Sequence, residues 1–487
     1  MRVMEGFMGR KAVMGMAMAL IVSWPVMGRA DTLSTMGASS RGTAMGGAMI
    51  AIADGWEAAY YNSSALALSR NSSSIQYSQI SGSLYANKND ELADGSMVKV
   101  GINHRFLRDR IGVGMLIGLG GSGGSDLSSL FDINKLLGGG GPPNWSWQNY
   151  KDSMPLLLSV GFGFRITDWL SVGITAYEKP LMVSTGNMAF LIVDPIVKAT
   201  LGLDSGKIYS NLHGFGFSAG GDPRADFVTG FNVTFRPIKY LSLGYSYTPE
   251  TWARYKIRAE LPGGQGGLLA DDWFFLIDMK VPGHVETTVY GGAANLPIPW
   301  NDGWLTLAYS RELQNWDGFF PSTVTYDWDA TTRWNPESFA NKLPRDPGLE
   351  DVAFDRFGFE YKGDASPLLF WKLKKLSNPR FAVRGGYYHW NSPQPDANYT
   401  WQVAMIDSDA DVYSFGLGFG YDRVKKAGTG GGAPPRVEID LHFQQTNLED
   451  RDYRMLPNEY GSVPLENYLV KTSGGISQVG IQVTWWQ

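Results

Sequence analysis

The 487-residue chain contains no cysteine and only five histidines. The first absence excludes a disulfide framework, zinc–thiolate and iron–sulfur sites and a cysteine nucleophile; the second leaves little scope for imidazole chemistry. Charge is scarce as well: 18 % of the residues are charged, against about 25 % in an average soluble domain. Its 42 basic and 47 acidic residues give no basic excess of the kind a nucleic-acid binder carries, so no nucleic-acid partner is expected. Beyond the N-terminal segment no 18 consecutive positions are apolar, so no transmembrane helix is expected there. What the chain has in excess is glycine, 60 residues, and aromatics, with 17 Trp, 23 Tyr and 24 Phe. Those are the materials of strands, tight turns and interfaces.

Residues 1–30 read as an export signal. Arg2, Arg10 and Lys11 precede an uncharged run rich in Met, Ala, Val and Ile from Ala12 to Met27, and Gly28-Arg29-Ala30 places small residues at a cleavage site after Ala30. The rival reading, an N-terminal membrane anchor, fares worse because the run is short for a span and contains Pro25. An exported chain of this composition is either a soluble β protein or an outer-membrane barrel, and periodicity decides between them.

Ile111, Val113, Met115, Ile117 and Leu119 alternate with Gly112, Gly114, Leu116, Gly118 and Gly120, so one face is apolar and the other is mostly glycine. That second face is too small for a solvated exterior, and the apolar one suits lipid. Leu158, Val160, Phe162 and Phe164 pass through a short turn into Leu170, Val172 and Ile174, and Phe227 to Phe235 passes into Leu241 to Tyr247 in the same way. Continued along the chain, the pattern predicts about fourteen strands: 74–86, 97–107, 110–120, 154–166, 169–180, 225–236, 240–257, 272–294, 303–314, 351–363, 379–391, 410–423, 435–447 and 474–486. Short connections alternate with long ones at 121–153, 181–224, 315–350 and 448–473, the asymmetry of periplasmic turns and outer loops. The fold class is therefore all-β: an antiparallel transmembrane barrel of about fourteen strands over 74–487, preceded by a plug over 31–73. A large soluble sandwich is the alternative; a propeller is unsupported because no 40- to 50-residue repeat is present.

The plug segment is dense in small residues and Met, which lets short helices and turns pack closely. Arg41-Gly42, Gly46-Gly47, Asp54, Ala58, Tyr61 and Asn62 match the pattern of the N-terminal hatch of the FadL/TodX family of outer-membrane transporters, which this stretch resembles. Ser63 and Ser64 stand where that pattern has Pro and Ala. Arg384-Gly-Gly-Tyr387-Tyr-His389-Trp390-Asn391-Ser392-Pro393-Gln-Pro395 is similar to a late strand and outer loop of the same family. The resemblance implies a plugged barrel in the outer membrane of a Gram-negative cell, passively taking up a hydrophobic molecule such as a long-chain fatty acid, lipid or hydrocarbon. It is expected to act as a monomer, among outer-membrane lipid and lipopolysaccharide, and not as an enzyme.

Candidate ligand-binding residues are Arg41, Tyr61 and Asn62 in the hatch, Leu130, Phe131, Leu136 and Leu137 in one outer loop, and Ala189 to Val193 in the next. Gly112, Gly114, Gly118 and Gly120 have two readings. Interior glycines mark kinks, and in the family a kink in this strand opens a lateral gap; alternatively they make room for the plug. Gly118 to Gly123 spells G-x-G-x-x-G but leads into Gly124-Ser125-Asp126 in place of a helix, so no dinucleotide or other cofactor is expected. Ser218, with His213 or His284, would serve a barrel-embedded lipid hydrolase through a G-x-S-x-G string. Asp355, Asp364, Asp407, Asp409 and Asp411 read as solvated carboxylates with no metal. Aromatic, acidic stretches such as 315–351, with Trp316, Trp328 and Trp334, leave a secretion scaffold as the second functional reading.

Overall fold

The computed structural model describes the chain from residue 37 onward except for 87–88, 93–94, 122–143, 146–153, 184–215, 220–227, 262–272, 300–301, 318–322, 330–348, 367–376, 394–398, 401–404, 407, 423–434 and 457–467. Fourteen strands form the wall: β1 (Ser72–Ala86), β2 (Gly95–Phe106), β3 (Ile111–Gly121), β4 (Met154–Arg165), β5 (Leu170–Val183), β6 (Val228–Ile238), β7 (Leu241–Thr248), β8 (Glu286–Ile298), β9 (Gly303–Asn315), β10 (Val352–Asp364), β11 (Ser377–Trp390), β12 (Ala410–Asp422), β13 (Arg436–Leu456) and β14 (Tyr468–Trp486). Each pairs antiparallel with its sequence neighbour, and β14 closes the ring on β1 from Ser72↔Trp486 to Ala86↔Thr472. A closed ring has no unpaired edge, which is what a sheet needs in hydrocarbon.

The faces are inverted relative to a soluble protein. Along β2 the inward residues Met97, Lys99 and Asn103 are buried while Val98, Val100 and Ile102 are exposed. Elsewhere Ile75, Phe162, Phe231, Phe415 and Ile481 point outward, and Ser74, Gln76, Ser159, Asn232 and Gln482 point inward. Exposed aromatics collect at two levels. Phe106, Trp169 and Tyr240 lie beside the short turns, and Tyr245, Tyr290, Tyr309, Tyr387 and Tyr413 lie toward the other end. An apolar band between two aromatic girdles is the exterior of an outer-membrane barrel.

Two expected strands differ from the observed ones. The stretch 240–257 divides after Thr248 and 272–294 divides at Val285, because Pro249 supplies no amide hydrogen and the chain leaves the wall there. Thr251–Leu261 and Trp273–His284 continue as a ribbon of a separate four-stranded sheet, with Gly216–Ala219 and Thr323–Asp329 on its flanks. The β13–β14 hairpin also runs further than the sequence suggested, through the expected loop at 448–473 as far as Met455↔Tyr468.

Residues 37–71 fill the lumen. Helix α1 (Ser40–Ala44) is capped by the Ser39 hydroxyl, which accepts from the Gly42 amide, and a capping box joins Asp54 to Glu57 at the next turn. Asn62 caps the 3-10 turn Ser63–Ala67 by accepting from the Ser64 amide at 3.2 Å. That bond keeps the turn in place with Ser63 and Ser64 where the hatch pattern has Pro and Ala. Gly46 has φ +61°, and a Cβ there would meet the backbone of Gly386 and Tyr387 in β11, so the hatch approaches the wall more closely than any side chain permits.

Candidate functional site

The hatch meets the wall in two chemically different ways. On its polar side Arg41 donates to both carboxylate oxygens of Glu360 in β10, at 3.0 Å each, and to Glu57 of the hatch at 2.8 Å. Glu360 also accepts from Arg384 of β11 at 2.6 Å and lies 3.3 Å from Lys362, while Arg384 reaches Asp440 of β13 at 2.6 Å. Burial opposes the Arg41 charge, but Glu360 and Glu57 outweigh it and hold its pKa above the ordinary value. The Tyr61 hydroxyl accepts from the Ala38 amide at 2.9 Å, and burial pushes its pKa up. The Asn62 amide donates to the Ile50 carbonyl at 2.7 Å and to Thr234 of β6 at 3.0 Å, and Ser64 lies 2.7 Å from the same Thr234 hydroxyl. Arg41, Tyr61 and Asn62, expected to touch ligand, are thus engaged in fixing the hatch. Arg41 has both faces of its guanidinium taken by carboxylates, which leaves it no fork to offer a ligand's acid group.

The glycine strand β3 bears on the hatch. A Cβ at Gly112 would run into the Leu66 backbone and one at Gly114 would meet the Leu66 side chain. Its pairing runs without a register shift from Ser96↔Gly121 to Phe106↔Ile111 on one side and from Ile111↔Phe164 to Leu119↔Leu156 on the other. The backbone at Gly112, Gly114 and Gly118 therefore carries no bulge, and Gly120 pairs in register with Met97. The ladder is thus continuous past all four glycines on the β2 side and past Gly112, Gly114 and Gly118 on the β4 side, where it ends at Leu119, and this pairing fits the reading in which the glycines make room for the plug. Leu130, Phe131, Leu136, Leu137 and the stretch 189–193 lie outside the described residues.

The other contact between hatch and wall is apolar. Met45, Ala48, Met49, Ile50, Ala51 and Ile52 are buried against Ala293 of β8 and Ala308 of β9, with Val289 packed beside them. Methionine is unbranched and polarisable and repacks readily, which makes this seam the adaptable side of the hatch. At the outward end of the seam stands Arg356 of β10, which donates to the Gly46 carbonyl at 3.3 Å and pairs with Glu312 at 3.2 Å. Its guanidinium lies 4.4 Å from the Tyr388 ring centroid and 4.8 Å from that of Phe354, cation–π contacts that hold it across the seam. Beyond it, Val285, Trp316, Val352, Phe354, Tyr388 and Val412 form a buried cluster with Trp390, whose ring lies 5.0 Å from that of Phe354. Among the described residues, the buried Trp390 indole nitrogen has no hydrogen-bond partner. The sequence reading missed this cluster, although its signal was present. Phe354 and Tyr388 fall in the inward phase of strands whose outward phase already carries Phe357, Phe359 and Tyr387, and aromatics in both phases of one strand go beyond what a lipid-facing stripe requires.

The other sequence candidates take plain places. Ser218 lies in a short strand opposite Arg258, not on the strand-to-helix turn that a nucleophile elbow requires. Trp316, one of the aromatics considered for a protein partner, turns into the buried cluster and donates to Gln314 at 2.8 Å; Trp328 lies opposite Phe275 in the separate sheet, and Trp334 is outside the described residues. Deeper on the polar side, buried Lys99 donates to the Gly37 carbonyl, and Gln76, its cross-strand neighbour, has no hydrogen-bond partner among the described residues for either side-chain polar atom.

No protein-family model and no curated protein matches the sequence. Among solved structures, the fold is that of a Pseudomonas aeruginosa FadL homologue, at TM-score 0.50 and 11 % identity over 95 % of this chain and 99 % of that one. The Pseudomonas putida toluene transporter TodX aligns at TM-score 0.41 and 13 % identity over 93 % of this chain and 99 % of its own. The Ralstonia pickettii toluene transporter TbuX aligns at 0.39 and 13 % over the same shares.

Proposed function

We propose that this chain, a plugged outer-membrane barrel with the fold of a FadL homologue, admits hydrophobic molecules passively along the apolar seam between hatch and wall. The observation that carries the reading is the aromatic cluster around Phe354 and Tyr388, set at the outward mouth of that seam. A long-chain fatty acid, lipid or hydrocarbon leaving the outer loops would exchange water for these rings, gaining about 25 cal/mol per Å² of apolar surface buried. Arg356 bars the mouth of the seam and is held there by Glu312 and by the rings themselves. A ligand inserting between the rings displaces the guanidinium toward Glu312. The seam then opens by repacking of Met45 and Met49, both fully buried, and by a shift of the 45–64 part of the hatch away from β8 and β9, while the ion pairs of Arg41 on the adjoining strand β10 keep the start of the hatch seated. The driving force is partition down a gradient, with no energy source required. The protein acts as a monomer, since each barrel contains the whole route.

The test is equilibrium binding of radiolabelled oleate to the detergent-purified protein. Truncating Phe354 or Tyr388 to Ala removes a ring worth about 1.5–3 kcal/mol when buried, so each variant is expected to bind oleate roughly 10- to 150-fold more weakly while the barrel keeps its heat-modifiable gel migration. Unchanged oleate affinity in both variants would remove the cluster from the route.

A further inference from the structure

The outward wall carries a second cluster that transport does not use. His389, the penultimate residue of β11, lies directly opposite Asp411, the second residue of β12. The next strand, β13, shifts register between Leu448 and Arg451, and the interruption brings Glu449 to the same spot. Bulges of this kind re-aim side chains at strand ends. The ligand atoms of His389, Asp411 and Glu449 all lie within 4.8 Å of one another.

We propose that His389, Asp411 and Glu449 form a site for one divalent metal ion of the borderline class, such as Zn²⁺, that ties together the outer ends of β11, β12 and β13. Three observations carry it. The His389 Nδ1 to Asp411 Oδ1 separation is 3.1 Å, and two ligands at about 2.1 Å from a common ion stand about 2.9–3.4 Å apart. The Tyr387 hydroxyl donates to Asp411 Oδ1 at 2.9 Å, so that ligand is oriented by an outer partner, as metal ligands usually are, and the Glu449 main chain is fixed beside it by donation from its amide to the Asp409 carbonyl at 2.8 Å. An imidazole nitrogen with two carboxylates selects a transition ion over Ca²⁺ or Mg²⁺, which prefer oxygen alone. Three protein ligands on a half-exposed wall leave the remaining coordination positions to water. The sequence reading placed Asp411 among solvated carboxylates and expected no metal, because its partners come from neighbouring strands and no local spacing announces them. The same strands carry Arg384 and Asp440 on their inner faces, so an ion here braces the part of the wall that holds the hatch.

The experiment uses the full-length, tag-free protein in detergent, stripped with a chelator and titrated calorimetrically with ZnCl₂. The expected result is one equivalent bound per chain, with affinity at least tenfold weaker in His389→Ala and in Asp411→Asn and unchanged in Asp355→Asn, a rim carboxylate elsewhere on the wall that pairs with Arg311. CaCl₂ at the same concentrations is expected to give no saturable heat. The Co²⁺ absorption spectrum of the unaltered chain keeps the test independent of how any variant folds: a protein-bound spectrum saturating at one equivalent is expected. An aqua-ion spectrum, or stoichiometric Zn²⁺ binding retained in both cluster variants, overturns the site.

Discussion

Glu360→Ala is expected to turn a closed barrel into a conducting one. Glu360 is where three cations converge, buried Arg41 and Arg384 and half-exposed Lys362. Removing it leaves Arg41 and Arg384 buried without the carboxylate they share. Stripping one partner from a buried pair costs about 3–5 kcal/mol, and here the loss falls on the ion pair that joins the hatch to β10, since the remaining partners of Arg41, Glu57 and the Ile52 carbonyl, lie within the hatch itself. The wall does not depend on this contact, as its ladders run uninterrupted through Glu360↔Arg384 and Thr306↔Glu360. The hatch should therefore loosen inside an intact barrel. In planar bilayers the variant is expected to show discrete conductance steps where the unaltered protein is silent, and Glu360→Gln, which keeps the volume and part of the hydrogen bonding, should fall between them. Silence in Glu360→Ala would mean that the hatch is held by its apolar seam and its hydroxyl contacts alone.

Ala308→Trp should have the opposite effect, abolishing hydrophobic uptake without opening the barrel. Ala308 lies on the inner face of β9 against the Met45–Ile52 run, and its small size is what lets the hatch and the wall meet there. A Trp side chain fills the seam. Overpacking of this kind costs about 1–3 kcal/mol, which Met45 and Met49 can accommodate by changing rotamer, while the polar network beside Glu360 is untouched. Oleate uptake by cells that depend on this protein is expected to fall to background, with conductance still silent. Uptake at the original rate would place the route elsewhere in the lumen.

The barrel was legible in the sequence because lipid imposes a simple rule, apolar residues on alternate positions facing outward, and that rule holds over all fourteen strands from Ile75 to Ile481. The hatch was legible through its small residues and the Arg41, Gly46-Gly47 and Asn62 pattern. The purpose of those residues was not, because purpose depends on partners far along the chain. Arg41 reads as a free cation until Glu360 is placed against it, 319 positions away. That the glycines of β3 make room for the plug is visible only once Leu66 is placed beside Gly112 and Gly114. The aromatic cluster was missed for a related reason. In Tyr387-Tyr388 one ring faces outward and the other inward, and only the exact register of β11 distinguishes the two. The two divided strands share one cause: the chain leaves the wall at Pro249, and the ribbon beyond it belongs to a second sheet whose apolar periodicity resembles that of the wall.

The central claim is that the hatch must give way at its seam for a hydrophobic molecule to pass, since Met45 and Met49 are fully buried. A reversible staple tests it most directly, because the chain has no cysteine of its own. The Ser64 and Thr234 hydroxyls lie 2.7 Å apart across the hatch–wall boundary, and Asn62, which contacts both, also holds the Ile50 carbonyl at the end of the seam. In the Ser64→Cys/Thr234→Cys double variant, oleate uptake is expected to fall to background when the pair is oxidised and to return when the same sample is reduced. Equal uptake in the oxidised and reduced forms would contradict the account, because a hatch fastened to β6 would then be no obstacle to passage.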